Sequence, residues 1–187
     1  MNISQLPNFI TLARIASVPI LILALDQRDY RLALILFVLA GLSDGLDGFI
    51  AKRYRCATRL GGILDPAADK ILLVGAYVML TVLGHLPFWL MVVVAFRDLL
   101  IVGGYLMYTS MYGPVQMRPS GLSKFNTLMQ ILLVAVVLVQ QATGIGYSGA
   151  VDVLVYAVLV TTVASGVHYL WTWGFMKDIE SAGGRSN

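Results

Sequence analysis

Four aspartates carry the residue types and spacings that could do chemistry here. Asp44 and Asp47 stand three residues apart, and Asp65 and Asp69 four apart, so on helices each pair shares one face. Carboxylates grouped without His or Cys are hard oxygen ligands, suited to Mg²⁺, Mn²⁺ or Ca²⁺ rather than zinc. Left alone, four such groups would repel one another and raise each other's pKa. One or two divalent cations would neutralise them. Gly45, Gly48, Ala51, Gly61 and Gly62 remove side-chain bulk where a nucleotide diphosphate would have to approach the backbone, and Lys52, Arg53 and Arg59 add cations beside it. This combination describes metal-assisted displacement at phosphorus, in which the ion stabilises the leaving phosphate and one carboxylate deprotonates an attacking alcohol. The structural alternative is a lone membrane aspartate paired with an arginine, and small residues that only let helices approach. Four acids of one sign, each costing roughly 2.5–3.5 kcal/mol to insert, weigh against it.

The elements that must position these acids are membrane helices. The chain has 187 residues, 58% hydrophobic and 12% charged, with a mean hydropathy of +0.81, far more apolar than a soluble domain of that size. Six apolar stretches, at about 8–25, 31–52, 61–83, 88–109, 122–143 and 150–173, are long enough to span a bilayer. The expected fold is therefore an all-α integral membrane protein, six transmembrane helices in one domain over 1–187, preceded by a short interfacial segment that Pro7 ends by opening the first helix. The second and third helices lie side by side in this reading, joined by a short basic loop, so that the four acids converge.

Charge sets the orientation. Lys52, Arg53, Arg55 and Arg59 follow the second helix, Arg118 and Lys124 flank the start of the fifth, and Lys177 and Arg185 lie in the tail, whereas the opposite side holds only Arg28 and Arg31. By the positive-inside rule the acids and both termini face the cytoplasm. The formal net charge of +3 comes with no amphipathic or aromatic-interleaved basic stripe, so no nucleic-acid partner is expected. Cys56 is the only cysteine, which excludes an internal disulfide and a cysteine metal site. No basic, serine-rich presequence is visible, which favours a bacterial inner membrane over a mitochondrial one.

With these residues in view, the chain resembles the CDP-alcohol phosphatidyltransferases. Asp44, two residues, Asp47-Gly48, two, Ala51-Lys52, eight, Gly61, three, Asp65, three, Asp69 reproduces that family's signature at every spacing. One position departs: Lys52 stands where the family usually has Arg, keeping the charge but losing the bidentate fork. The resemblance implies Mg²⁺ or Mn²⁺ held by Asp44, Asp47, Asp65 and Asp69, with Asp69 also the general base. It places Gly48, Ala51, Lys52 and Gly61 around the CMP part of CDP-diacylglycerol, and it implies a homodimer. Softer motifs, among them Leu6-Pro7-Asn8, Arg97-Asp98, Arg118-Pro119 and Ser123-Lys124-Phe125-Asn126-Thr127, look most like the CMP-forming cardiolipin synthases, in which phosphatidylglycerol is the acceptor. Phosphatidylglycerophosphate synthases, whose acceptor is glycerol 3-phosphate, are close relatives.

Outside the signature, Arg97, Arg118, Lys124 and Asn126 are the candidates for acceptor or phosphate contacts. The competing roles are a structural tie for Arg97, a solvated loop charge for Arg118 and Lys124, and an interhelical hydrogen bond for Asn126. Arg97 and Asp98, adjacent on a helix, point to different faces and are not expected to pair directly. Arg14 is expected to snorkel to head groups or to meet the donor lipid. His168, without a ligand-spaced partner, reads as packed or interfacial. A cation transporter is a remote alternative, since acids on an ion pathway would be distributed along it rather than clustered at one end.

Overall fold

The computed structural model describes residues 6–54, 61–112, 121–146 and 148–183; within its helices, the side chains at 6–11, 44–54, 61–69, 105–106, 108–109, 111–112, 148 and 172–183 lie outside that description. Six helices follow one another: α1 (Leu6–Asp26), α2 (Tyr30–Tyr54), α3 (Gly61–Val82), α4 (Phe88–Tyr112), α5 (Gly121–Thr143) and α6 (Ser148–Gly183). No strand occurs among the described residues. Five helices end within three residues of the apolar limits read from the sequence, because helix length tracks the run of side chains that lipid or core can solvate. The sixth runs on to Gly183, ten residues past the end of its apolar stretch. Proline at position 19 sits inside α1, where it cannot donate to the carbonyl four residues earlier.

Three tight connections gather at one end of the bundle. Arg28, at φ 59°, ends α1: its N–H donates to Leu25 O at 2.9 Å, and the Asp29 N–H to Ala24 O at 2.8 Å. This six-to-one and five-to-two pair seals the last carbonyls of the helix. The same pattern closes α3 on Gly84, at φ 79°, with Gly84 N–H to Thr81 O at 3.0 Å and His85 N–H to Leu80 O at 2.8 Å. Glycine adopts this left-handed conformation freely, whereas a side chain there costs roughly 1–2 kcal/mol. Asp29 then caps α2, its Oδ1 accepting from the Leu32 N–H at 3.1 Å. Gly144, at φ 71°, opens the connection from α5 to α6. The Tyr30 hydroxyl lies 2.8 Å from His85 Nε2, which fixes the first two connections side by side.

That contact carries a pH dependence. The two rings meet edge to face with centroids 5.4 Å apart, and partial burial, then the positive charge of Arg28, hold the His85 pKa below its ordinary 6.5. The folded state therefore favours the neutral imidazole, able to accept the Tyr30 O–H. A folded pKa below the unfolded one means stability is complete above the unfolded value and is lost as pH falls through it. The thermal midpoint in detergent is expected to drop modestly between about pH 7.5 and about pH 5.5, and His85→Gln should flatten the drop. An equal slope in that variant would remove His85 from the account.

Packing explains why the helices stay together and why their outside is greasy. Leu21 and Leu25 of α1, Ala33 and Phe37 of α2, Ala76 and Leu80 of α3, Leu90 of α4, Leu133, Val134 and Val137 of α5 and Val158 of α6 form one buried core. Among the described residues α1 packs on both α2 and α3, α5 also touches both, and α6 packs on α4 and α5. There, α1 and α5 both bridge α2 and α3; the side-by-side approach expected at the acid ends of α2 and α3 falls on side chains outside the described residues. Gly75 of α3 faces α1, where an added Cβ would meet Val18 at an ordinary contact distance of 3.6 Å. On the outside, Ile35, Val38, Leu39 and Leu42 of α2, Val92, Phe96 and Leu99 of α4, and Val153, Tyr156, Val160, Val163 and Val167 of α6 are exposed. Stripes this long are stable against lipid and not against water. Among the described residues, Gly121–Thr143 and Gly149–Trp171 are the two segments long and apolar enough to cross a membrane by length and composition.

Candidate active site

The signature acids lie at the end of the bundle opposite the three tight connections. Asp44 and Asp47 fall in the helical backbone of the second half of α2, and Asp65 and Asp69 in the first half of α3, so both pairs keep their one-turn spacing. Gly48, Ala51 and Lys52 follow in α2, and Gly61 begins α3. The side chains of all eight lie outside the described residues, as does Arg118 entirely. Among the described residues no group of three or more His, Cys, Asp or Glu gathers. The donor set itself fits a hard divalent cation, being four carboxylates with neither sulfur nor imidazole between them.

The residues that adjoin the acids form a tie across four helices. Arg97 of α4 is buried to 4% exposure. Its Nη1 donates to Asp98 Oδ1 at 2.8 Å, and its Nη2 to Ser123 Oγ of α5 and Ser165 Oγ of α6, both at 2.7 Å. Asp98 Oδ2 in turn receives Lys70 Nζ of α3. The expectation that Arg97 and Asp98 do not pair is thus corrected: neighbouring positions diverge by about 100° on a helix, yet the four-atom stem of arginine reaches back across that angle. The stem runs past Gly166 of α6, where an added Cβ would lie in ordinary contact, 3.9 Å from Arg97 Cγ. Lys70, directly after Asp69, is a site-adjacent residue that sequence reasoning missed. Its signal was a single cation heading an apolar run, a placement that demands a counter-charge.

One turn deeper, Asn126 of α5 is fully buried. Its Oδ1 lies 2.8 Å from the Thr161 hydroxyl and 2.9 Å from that of Thr162 on α6, so the interhelical role read for it is present, while its Nδ2 has no partner. Lys124 is exposed at the start of α5. Arg14 is buried to 3%, which corrects the expectation of a snorkelling head group. His168 and Trp171 are exposed on α6.

The sequence that carries these acid pairs matches a known family over most of the chain. Residues 4–168 match the family model described as CDP-alcohol phosphatidyltransferase. The chain belongs to this family. It is 34% identical over 194 residues to a cardiolipin synthase (CMP-forming)/mitochondrial hydrolase fusion protein of Schizosaccharomyces pombe, covering 95% of this chain and 32% of that protein. It is 33% identical over 180 residues to human cardiolipin synthase (CMP-forming), covering 88% of this chain and 60% of the human one. It is also 30% identical over 172 residues to the CDP-diacylglycerol–glycerol-3-phosphate 3-phosphatidyltransferase of Rickettsia felis, covering 88% and 93% respectively. The chain thus spans about a third to three fifths of the length of the first two relatives. CDP-alcohol phosphatidyltransferases are membrane-embedded, act on CDP-diacylglycerol and an alcohol acceptor, and generally use a divalent metal.

Proposed function

We propose that this chain transfers a phosphatidyl group from CDP-diacylglycerol to phosphatidylglycerol, giving cardiolipin and CMP. The observation that carries the class is the family match over residues 4–168, which takes in every signature residue. In this reading all six helices cross a bacterial inner membrane and the acid end faces the cytoplasm, because Lys52, Arg53, Arg55 and Arg59 follow α2 there. The active unit is a homodimer of single-domain chains.

Each residue then has a task. Asp44, Asp47, Asp65 and Asp69 hold Mg²⁺ or Mn²⁺, which when bound supplies Lewis-acid charge to the diphosphate. Gly48, Ala51 and Gly61 let the nucleotide approach the helix backbone, and Lys52 offers one cation to the diphosphate in place of a fork. Asp69 takes the proton from the acceptor hydroxyl, whose oxygen bonds to the lipid-side phosphorus as the bond to CMP breaks. Arg118 and Lys124 meet the acceptor phosphate, with Asn126 Nδ2 a donor toward a hydroxyl. Arg97, for which an acceptor contact was also considered, is engaged by Asp98, Ser123 and Ser165, and we assign it the task of holding α4, α5 and α6 in register.

A second reading, glycerol 3-phosphate as acceptor, is favoured by the Rickettsia felis relative, whose length this chain covers to 93%. Offering the two acceptors separately to purified protein with CDP-diacylglycerol and Mn²⁺ decides between them. CMP release is expected with phosphatidylglycerol and not with glycerol 3-phosphate, and chelation should stop it. The reverse acceptor preference would replace cardiolipin by phosphatidylglycerophosphate as the product.

A further inference from the structure

Seven residues deeper than the arginine tie, along each of three helices, lies a second level, polar on two of them. Lys70 leads to Tyr77 on α3, Asp98 back to Met91 on α4, and Ser123 to Gln130 on α5, each step being about 10 Å along a helix. Between these levels a cleft of about 70 Å³ opens, lined by Leu73, Val74, Tyr77 and Val78 of α3, Met91, Val94, Ala95 and Asp98 of α4, and Gln130 of α5. Its mouth is on the outer surface, where Val74 is exposed, and its walls are apolar. Its floor is not. Gln130 is fully buried, yet neither its Nε2 nor its Oε1 has a hydrogen-bond partner, and neither does the buried Tyr77 hydroxyl. Orphaned polar atoms this deep are costly unless something meets them.

We propose that this cleft receives the ester-linked glycerol and first acyl methylenes of a glycerolipid whose head group lies at the Asp65–Asp69 end of α3. The inference rests on the phosphatidyl-transfer reading for its head group, and on three observations for the cleft itself. Tyr77 lies eight residues past Asp69, about 12 Å along the helix, a depth at which the ester level of a lipid follows a head group at the acids. The cleft opens sideways toward the surface stripes that face lipid, so a lipid enters without leaving the bilayer. Gln130 Nε2 and the Tyr77 O–H are donors, and an ester carbonyl is an acceptor with no donor of its own; Gln130 Oε1 takes a water that enters with it. The volume holds roughly five water-sized groups, enough for an ester and a few methylenes and too little for a whole chain.

Two sources share this chemistry, the donor CDP-diacylglycerol and a lipid acceptor, and separate arms distinguish them. The full chain in nanodiscs is tested with CDP-diacylglycerol and phosphatidylglycerol each varied in turn, in wild type, Gln130→Met, Tyr77→Phe and Ala95→Leu, which fills the cleft. Each hydrogen-bond deletion is expected to raise KM for one of the two lipids about fivefold, with the thermal midpoint of Gln130→Met unchanged or raised, since an unpaired amide has been removed. A purely structural glutamine would lower that midpoint and leave both KM values alone, which overturns the proposal. A KM change for CDP-diacylglycerol alone assigns the cleft to the donor, and for phosphatidylglycerol alone to the acceptor. If Ala95→Leu fails to fold, Val74→Phe narrows the mouth from the exposed side. A readout independent of turnover uses phosphatidylglycerol and CDP-diacylglycerol carrying a photoactivatable group near the ester. Labelling of Val74, Val78, Met91 or Ala95 in wild type, lost in Ala95→Leu or Val74→Phe, supports the site even if no CMP is released. Labelling confined to other faces, or hydration of the cleft by water alone, overturns it.

Discussion

Asp69→Asn is expected to lower the rate of CMP release by about a thousandfold while leaving the protein folded and in the membrane. General-base removal alone is worth roughly 10²–10⁴ in rate, and an amide also withdraws one charge from the metal-holding set. The residue lies in helical backbone, where asparagine is nearly isosteric, so the loss should fall on kcat far more than on stability. Measuring kcat together with Mn²⁺ affinity separates the two contributions. Turnover within tenfold of wild type would move the base to another carboxylate. Asp44→Asn and Asp47→Asn, by comparison, should act chiefly through the metal, and excess Mn²⁺ should recover part of their activity.

The second large effect is on α4, at the carboxylate that holds Lys70, the residue after Asp69. Asp98 receives both Lys70 and Arg97, so Asp98→Ala leaves two cations without their carboxylate. Arg97 matters more, because its side chain is 5% exposed, against 40% for Lys70, and the exposed member of an ion pair is largely screened. Stranding a buried charge costs about 3–5 kcal/mol. The expected result is a fall of that order in unfolding free energy in detergent, with a smaller loss for Asp98→Asn, whose carbonyl still accepts from Nη1. Arg97→Lys should also be poorly tolerated, since an ammonium cannot reach Asp98, Ser123 and Ser165 together from one fixed plane. A change below about 0.5 kcal/mol for Asp98→Ala, the range of ordinary surface substitutions, would show that the tie is ornamental. Because Lys70 follows Asp69 directly, Asp98→Ala should weaken Mn²⁺ binding as well, through the register of α3.

The helices were legible because apolar run length is a direct physical requirement of spanning, and five of six came out within three residues. The end of α6 was not, since a helix that leaves lipid needs no apolar residue to continue, and Lys177 and Glu180 are good helix formers. The left-handed cap at Arg28 carried no glycine to announce it, whereas Gly84 did. The acid pairs and their spacing were legible from four letters. The arginine tie was only half so: an Arg97 in an apolar stretch implied a partner, but Asp98 was set aside on helical angle alone, without the reach of the arginine stem, and naming Ser123 and Ser165 needs the register of α4, α5 and α6. Tyr77 and Gln130 carry no spacing signal of their own, and their pairing at one depth needs the packing of α3 on α5.

The length of α6 has a consequence for how water-borne molecules reach the acids. Its 36 residues rise about 54 Å against a hydrocarbon thickness of about 30 Å. It begins beside the tight connections, so the surplus of about 24 Å stands at the other end, next to where α2 finishes and α3 starts. On the proposed reading, a helical post then stands on that side, and a nucleotide arriving or departing there would pass one helical flank instead of an open plain.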